Sequence, residues 1–147
     1  MRAMQAAIGV GRMFCAGALL ATALAGCSLG GVKVDNAGAL DAISQGRTGS
    51  EVTIEGAVIR VLATSSGLQG SHERFVVAVE SGNAEQDVLV ADNVTIGRAA
   101  PVRRGDRVIV RGELAIDPTG PVIHWTHHDP RGRHESGFVR LNGELYD

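Results

Sequence analysis

The stretch that decides the fold is residues 51–62, EVTIEGAVIRVL, in which apolar and polar side chains alternate up to Gly56 and a mostly apolar run follows. Alternation with a period of two is typical of a β-strand that buries one face. A glycine inside such a strand usually marks a bulge or a sharp bend. The segment therefore predicts a long, curved first strand.

The rest of the sequence contains further segments of strand character. They are residues 72–80, 86–91, 107–116 and 122–127, followed by a hairpin formed by 138–141 and 144–146 around Asn142-Gly143. Residues 93–101 lack a strand period and could hold one helical turn. This order resembles a five-stranded Greek-key barrel of the OB type, and a β-sandwich is the alternative. The predicted fold is all-β, a small OB-like barrel with a C-terminal hairpin and one or two short helices.

The amino terminus predicts an export signal. Its basic start contains Arg2 and Arg12 and no acidic residue, and residues 13–25 are an apolar run too short for a stable membrane span. The run ends in Leu24-Ala25-Gly26-Cys27, which resembles the lipobox of bacterial lipoproteins, where the cysteine becomes lipidated. We therefore expect a protein anchored by lipid to the bacterial cell envelope. Ser28, rather than Asp, follows the cysteine, which favours the outer membrane where the cell has one. The alternative is an ordinary signal peptide with a chance cysteine.

These patterns divide the chain into three segments. Residues 1–26 are the predicted signal peptide, and residues 50–147 are the predicted barrel. Residues 27–49 contain the lipidated cysteine and a tether, with a possible short helix from Asn36 to Gly46. Leu40 and Ile43 give that helix a short apolar stripe, but the segment could equally be linker.

Charge and cysteine content exclude some classes of partner and site. The chain has 14 basic and 16 acidic residues, so it lacks the positive charge of a general nucleic-acid binder, and nucleic acid is an unlikely partner. Of its two cysteines, Cys15 lies in the predicted signal peptide and Cys27 in the lipobox. A metal site in the barrel would therefore use His, Asp and Glu.

Four of the five histidines lie within residues 124–134, HWTHHDPRGRH. Together with SHERF (71–75), RRGDRVIVRGE (103–113) and GFVRLNGELYD (137–147), the HWTHHDP motif resembles a family of small bacterial proteins of unknown function. The resemblance covers about residues 52–147 and implies no established activity. Members of that family have His where this chain has Asp92, so a site that included this position would differ here.

Strand alternation predicts how the histidine-rich segment is oriented. It places Ile123, Trp125 and His127 on one face, with Ile123 and Trp125 in the core. A type I turn over residues 129–132 would then bring a later histidine back over the strand end. The candidate ligands for a divalent metal such as Zn²⁺ are His124, His127, His128, Asp129 and His134; the further site candidates are His72, Asp92, Asn93 and Trp125. Packing between histidines is the alternative.

Three functions are compatible with this sequence. The first is a binding module in which the His-rich motif holds a metal ion or a small polar ligand. The second is a metal-dependent hydrolase of phosphodiesters or esters, which would need a general base such as Asp92, Asp129 or Glu135. The third is a structural or interaction module.

The lipobox generates a direct prediction. Full-length protein should partition with membranes, whereas Cys27→Ser should remove the lipid and release the processed protein from them. Fractionation of cells followed by mass spectrometry of the amino terminus measures both. A Cys27→Ser form that stays with the membrane and retains its signal segment would contradict lipidation.

Overall fold

The computed structural model describes residues 31–147, so the predicted signal peptide and Cys27 lie outside the described residues. One helix and seven strands follow each other along the chain. They are α1 (Asn36–Ser44), β1 (Ser50–Gly67), β2 (Gly70–Ser81), β3 (Ala84–Asn93), β4 (Arg107–Asp117), β5 (Gly120–His124), β6 (Phe138–Leu141) and β7 (Glu144–Tyr146).

Five of the strands bond to one another in a ring. β1, β2 and β3 form an antiparallel meander, β3 pairs with β5 in parallel, and β4 pairs with both β5 and β1. The ring is closed by a short parallel pairing, Leu89 with Val122 and Val90 with Ile123. The order confirms the all-β, OB-like fold, and the predicted hairpin around Asn142-Gly143 forms β6 and β7 beside β4.

The curvature of β1 arises slightly later than Gly56. Its pairing with β2 shifts register between Val58 and Arg60 and again between Leu62 and Ser65. Gly56 instead permits a close approach of β2, because a Cβ at this position would lie 2.1 Å from the carbonyl oxygen of Ala78. The glycine is thus required by packing within the sheet, and the bulges lie beyond it.

The short helix predicted before the barrel forms and contributes to its core. Asp35 caps α1 by accepting a hydrogen bond from Gly38 N at 2.8 Å, and Ala39 and Ala42 are 3% exposed. The Asn36 amide donates to the carbonyl oxygens of Glu55 and Glu80 and accepts from Glu55 N, each at 2.9 Å. One side chain therefore fixes the helix to both β1 and β2, so the packed body begins before residue 50.

In the part of the chain that is described, α1 is the sole helix. Residues 94–96 form a single hydrogen-bonded turn, in which Ile96 N and Gly97 N both donate to the carbonyl oxygen of Asn93, at 3.1 and 3.0 Å. The one turn that was possible there is therefore present, without a regular helix after it. No helix among residues 31–147 has the length and apolar character needed to cross a membrane.

The fifth strand is shorter than predicted. It ends at His124, whereas the sequence pattern extended it to His127. The cause is Trp125, whose φ of 55° lies in the left-handed region and interrupts the extended conformation.

Candidate functional site

The left-handed turn at Trp125 determines which side chains reach the surface. The alternation rule placed Trp125 in the core, and this prediction is wrong, because the residue is 39% exposed. Thr126 and His127, which follow the turn, are 0% and 1% exposed. The positive φ breaks the alternation of faces, so the indole lies outside the core and the next two side chains lie within the protein.

Two glycines make room for this turn. A Cβ at Gly137 would lie 2.0 Å from the Trp125 carbonyl oxygen, and one at Gly112 would lie 2.2 Å from that of His124. Both distances are impossible for a side-chain carbon, and the obstructing atoms belong to the backbone. The segment that contains Trp125 is therefore packed closely against β4 and against the residue that precedes β6.

The loop after the turn returns to the indole. Asp129 accepts hydrogen bonds from the backbone N–H groups of Arg131, Arg133 and His134, which forms the predicted turn. Burial opposes ionisation of Asp129, but these backbone donors outweigh it and lower the pKa to about 2. His134 then stacks on Trp125 with ring centroids 4.5 Å apart.

His127 is the most constrained histidine of the motif. Its Nδ1 lies 2.7 Å from the carbonyl oxygen of His128, and because a carbonyl only accepts, Nδ1 carries the hydrogen. When one ring hydrogen is present, Nε2 is then the acceptor nitrogen, and it is buried without a partner. The ring also lies 5.1 Å from that of His134, in an edge-to-face arrangement.

Asp92 lies inside the barrel end rather than on its surface. It is 1% exposed, and its Oδ1 accepts from Thr126 Oγ1 at 2.8 Å. Burial raises the pKa of Asp92, and the Thr126 hydrogen bond opposes the rise. Glu73, opposite Asp92 in the β2–β3 register, accepts from Ala100 N at 3.0 Å, and burial raises its pKa to about 7. The half-buried carboxyl of Glu73 and the buried carboxyl of Asp92 thus lie near each other, and Asp92 also lies near His127.

The outer face of β2, β3 and β5 forms a groove of about 680 Å³. Five of the predicted site residues line this groove: His124 and His127 from the predicted metal ligands, and His72, Asn93 and Trp125 from the further candidates. The remaining lining residues are Ser65, Gln69, Arg74, Leu89, Ala91, Ile96, Asp117, Val122 and Arg133. The groove occupies the face through which OB-type barrels bind ligands, with the β1–β2 and β4–β5 connections at its sides.

The five predicted metal ligands are only partly brought together. His127, Asp129 and His134 are neighbours, with His134 Nε2 3.9 Å from Asp129 Oδ2, whereas His124 lies in the groove. His128 is exposed and does not line the groove. Among residues 31–147, no three His, Cys, Asp or Glu side chains are arranged to hold one metal ion.

The carboxylates considered as a general base are each engaged by a protein group. Asp92 binds Thr126, Asp129 binds backbone N–H groups, and Glu135 forms an ion pair with Arg111.

Sequence reasoning missed the apolar floor of the groove, which contains Leu89, Ala91 and Val122. A signal for it was present. The runs FVVAV (75–79) and VLVA (88–91) are continuously apolar and do not alternate, as expected for strands covered on both faces. Ala91 and Val122 are 9% and 3% exposed although they lie outside the main core cluster.

The left-handed conformation at Trp125 predicts an unusual order of variant stabilities. Trp125→Gly should have a free energy of unfolding about 1 kcal/mol higher than that of Trp125→Ala, because glycine adopts positive φ without the Cβ penalty. Neither should lose the roughly 3–5 kcal/mol expected of a core tryptophan. Urea unfolding followed by circular dichroism measures both, with Val61→Ala as an exposed apolar control. A glycine variant clearly less stable than the alanine variant would contradict a strained turn.

Comparison with known proteins places the chain in a family but assigns no activity. No curated protein matches the sequence significantly. A family model described as a protein of unknown function, DUF3465, matches residues 25–147. The match covers most of the chain, including the groove and the whole histidine-rich motif, and the chain therefore belongs to the DUF3465 family.

Proposed function

We propose that this protein is a cell-envelope lipoprotein whose β-barrel binds a small polar ligand in the groove on the outer face of β2, β3 and β5. The observation that carries the proposal is the buried, unpartnered Nε2 of His127, a residue that lines this groove. The envelope location follows from the LAGC sequence at residues 24–27.

An unpaired buried acceptor is costly to a folded protein. Leaving such a group without a hydrogen bond costs about 1–3 kcal/mol, so buried polar atoms nearly always have a partner. The cost is recovered when a bound molecule donates a hydrogen bond to His127 Nε2. Ligand-binding pockets typically contain a few fixed polar groups that hydrogen-bond to the ligand.

A divalent cation is the second candidate ligand, and a specific pattern favours it. His127 Nδ1 and His134 Nδ1 lie 2.7 and 2.8 Å from the carbonyl oxygens of His128 and Glu135. Metal-binding histidines usually donate one ring N–H in this way, which leaves the other nitrogen free for the metal. His127 and His134 would therefore be the protein ligands, and a bound Zn²⁺ would supply Lewis acidity.

The test uses the chain from Ser28, which contains every described residue, after treatment with a chelator. Calorimetric titration with Zn²⁺, Cu²⁺ and Ni²⁺ tests the cation, and Trp125, the one tryptophan of the sequence, reports binding of small polar molecules by its fluorescence. We expect saturable binding of at least one probe among these metals, N-acetylglucosamine oligomers, citrate and lysine. A cation site should bind tighter than about 10 μM, roughly −7 kcal/mol.

Two histidine variants provide the matched comparison. His127→Ala should weaken binding about tenfold or more, equivalent to about 1.4 kcal/mol, because the acceptor is lost. His128→Ala, which changes an exposed histidine beside it and leaves the backbone carbonyl in place, should bind as the parent does. If no probe binds saturably, or if both variants weaken binding equally, the groove is not the binding site and a structural role is favoured.

A further inference from the structure

The groove has the chemistry of a site for a sugar ring. Its rim carries an exposed aromatic plane, because the left-handed turn holds the indole of Trp125 out of the core. The stacking of Trp125 on His134, with 31° between the ring planes, fixes the orientation of that plane. A rigid indole beside a groove offers a large apolar contact surface at little cost in conformational entropy.

The floor of the groove is apolar. Leu89, Ala91 and Val122 point outward from neighbouring strands β3 and β5, at positions where Leu89 and Val122 are directly paired. Such a surface matches the C–H face of a pyranose ring and would leave a highly charged group poorly solvated.

Several hydrogen-bonding side chains surround this floor. His72 and His124 come from β2 and β5, and Ser65 and Gln69 from the end of β1 and the turn that follows it. Burial lowers the pKa of His124, so its imidazole is uncharged at neutral pH and offers one donor and one acceptor.

Three charged side chains line the groove, two basic and one acidic. Arg74 donates to the carbonyl oxygen of Ala63 at 2.9 and 3.2 Å. The other two, Asp117 and Arg133, carry opposite charges. The groove therefore lacks the cluster of free cationic groups that recognition of phosphates requires.

The orphaned atom of His127 narrows the ligand class further. Nε2 of the neutral ring is an acceptor, so the ligand must bring a hydrogen-bond donor to it. A carboxylate or phosphate group has no donor when ionised, whereas a sugar presents hydroxyl donors around an apolar ring face.

We infer that the groove binds neutral sugar rings of an oligosaccharide, with one ring stacked on Trp125 and a hydroxyl donating to His127 Nε2. The inference rests on the proposed function, and it names the substrate class of that same site. The groove volume of about 680 Å³ lies within the range of about 300–1,000 Å³ typical of small-molecule sites.

The experiment is an NMR titration of the chain from Ser28, labelled with ¹⁵N, with tri-N-acetylchitotriose and with maltotriose. At least one of them should bind with a dissociation constant of about 1 mM or tighter and shift the indole N–H signal of Trp125 together with amides of β2, β3 and β5. Trp125→Gly, which retains the backbone conformation, should weaken binding about tenfold, as should His127→Ala. His128→Ala should bind within twofold of the parent.

Parallel titrations with citrate, inorganic phosphate and Zn²⁺ separate the two levels of the proposal. If these probes shift groove signals in a manner that depends on His127, and neither sugar does, the sugar inference is overturned while the ligand-binding function stands. If no probe shifts the groove signals, both are overturned. Sugar binding that is unchanged in Trp125→Gly would also overturn the inference, because the stacking platform would not be used.

Discussion

The positive φ of Trp125 is the constraint on which the site depends. One residue in the left-handed conformation ends β5, leaves the indole at the surface and places Thr126 and His127 in the interior. A bulky aromatic residue rarely adopts this conformation, and such strain persists only where the surrounding structure enforces it. Here the backbone packs closely against Gly112 and Gly137, so the turn is fixed by contacts on both sides.

The turn also links the groove to the polar interior of the barrel. Thr126 donates to Asp92, and the adjacent His127, although buried, is among the residues that line the groove. Burial raises the pKa of both Asp92 and Glu73, so protonated forms are favoured within the barrel end. Because a raised carboxyl pKa stabilises the fold most at low pH, the stabilisation contributed by Glu73 is lost as the pH rises from about 4.5 towards 7.

The fold was largely predictable from the sequence, and the site only in part. Strand periodicity and the Asn142-Gly143 turn identify local properties that each segment carries by itself, and the order of these segments along the chain resembles that of OB-type barrels. The orientation of Trp125 could not be predicted, because it depends on two glycines from β4 and from the residue before β6, far away in sequence. The role of α1 was underestimated for the same reason, since Ala39 and Ala42 are small and their burial requires the strands that cover them.

The measurement that tests this account most directly is the tautomeric state of His127, determined by NMR of the side-chain nitrogens in ¹⁵N-labelled protein at neutral pH without ligand. We expect a hydrogen on Nδ1, held by the carbonyl oxygen of His128, and an unprotonated Nε2 that accepts no hydrogen bond from the protein. A hydrogen on Nε2 that is bonded to a protein acceptor would contradict this expectation, because His127 would then offer no unpartnered acceptor to a ligand.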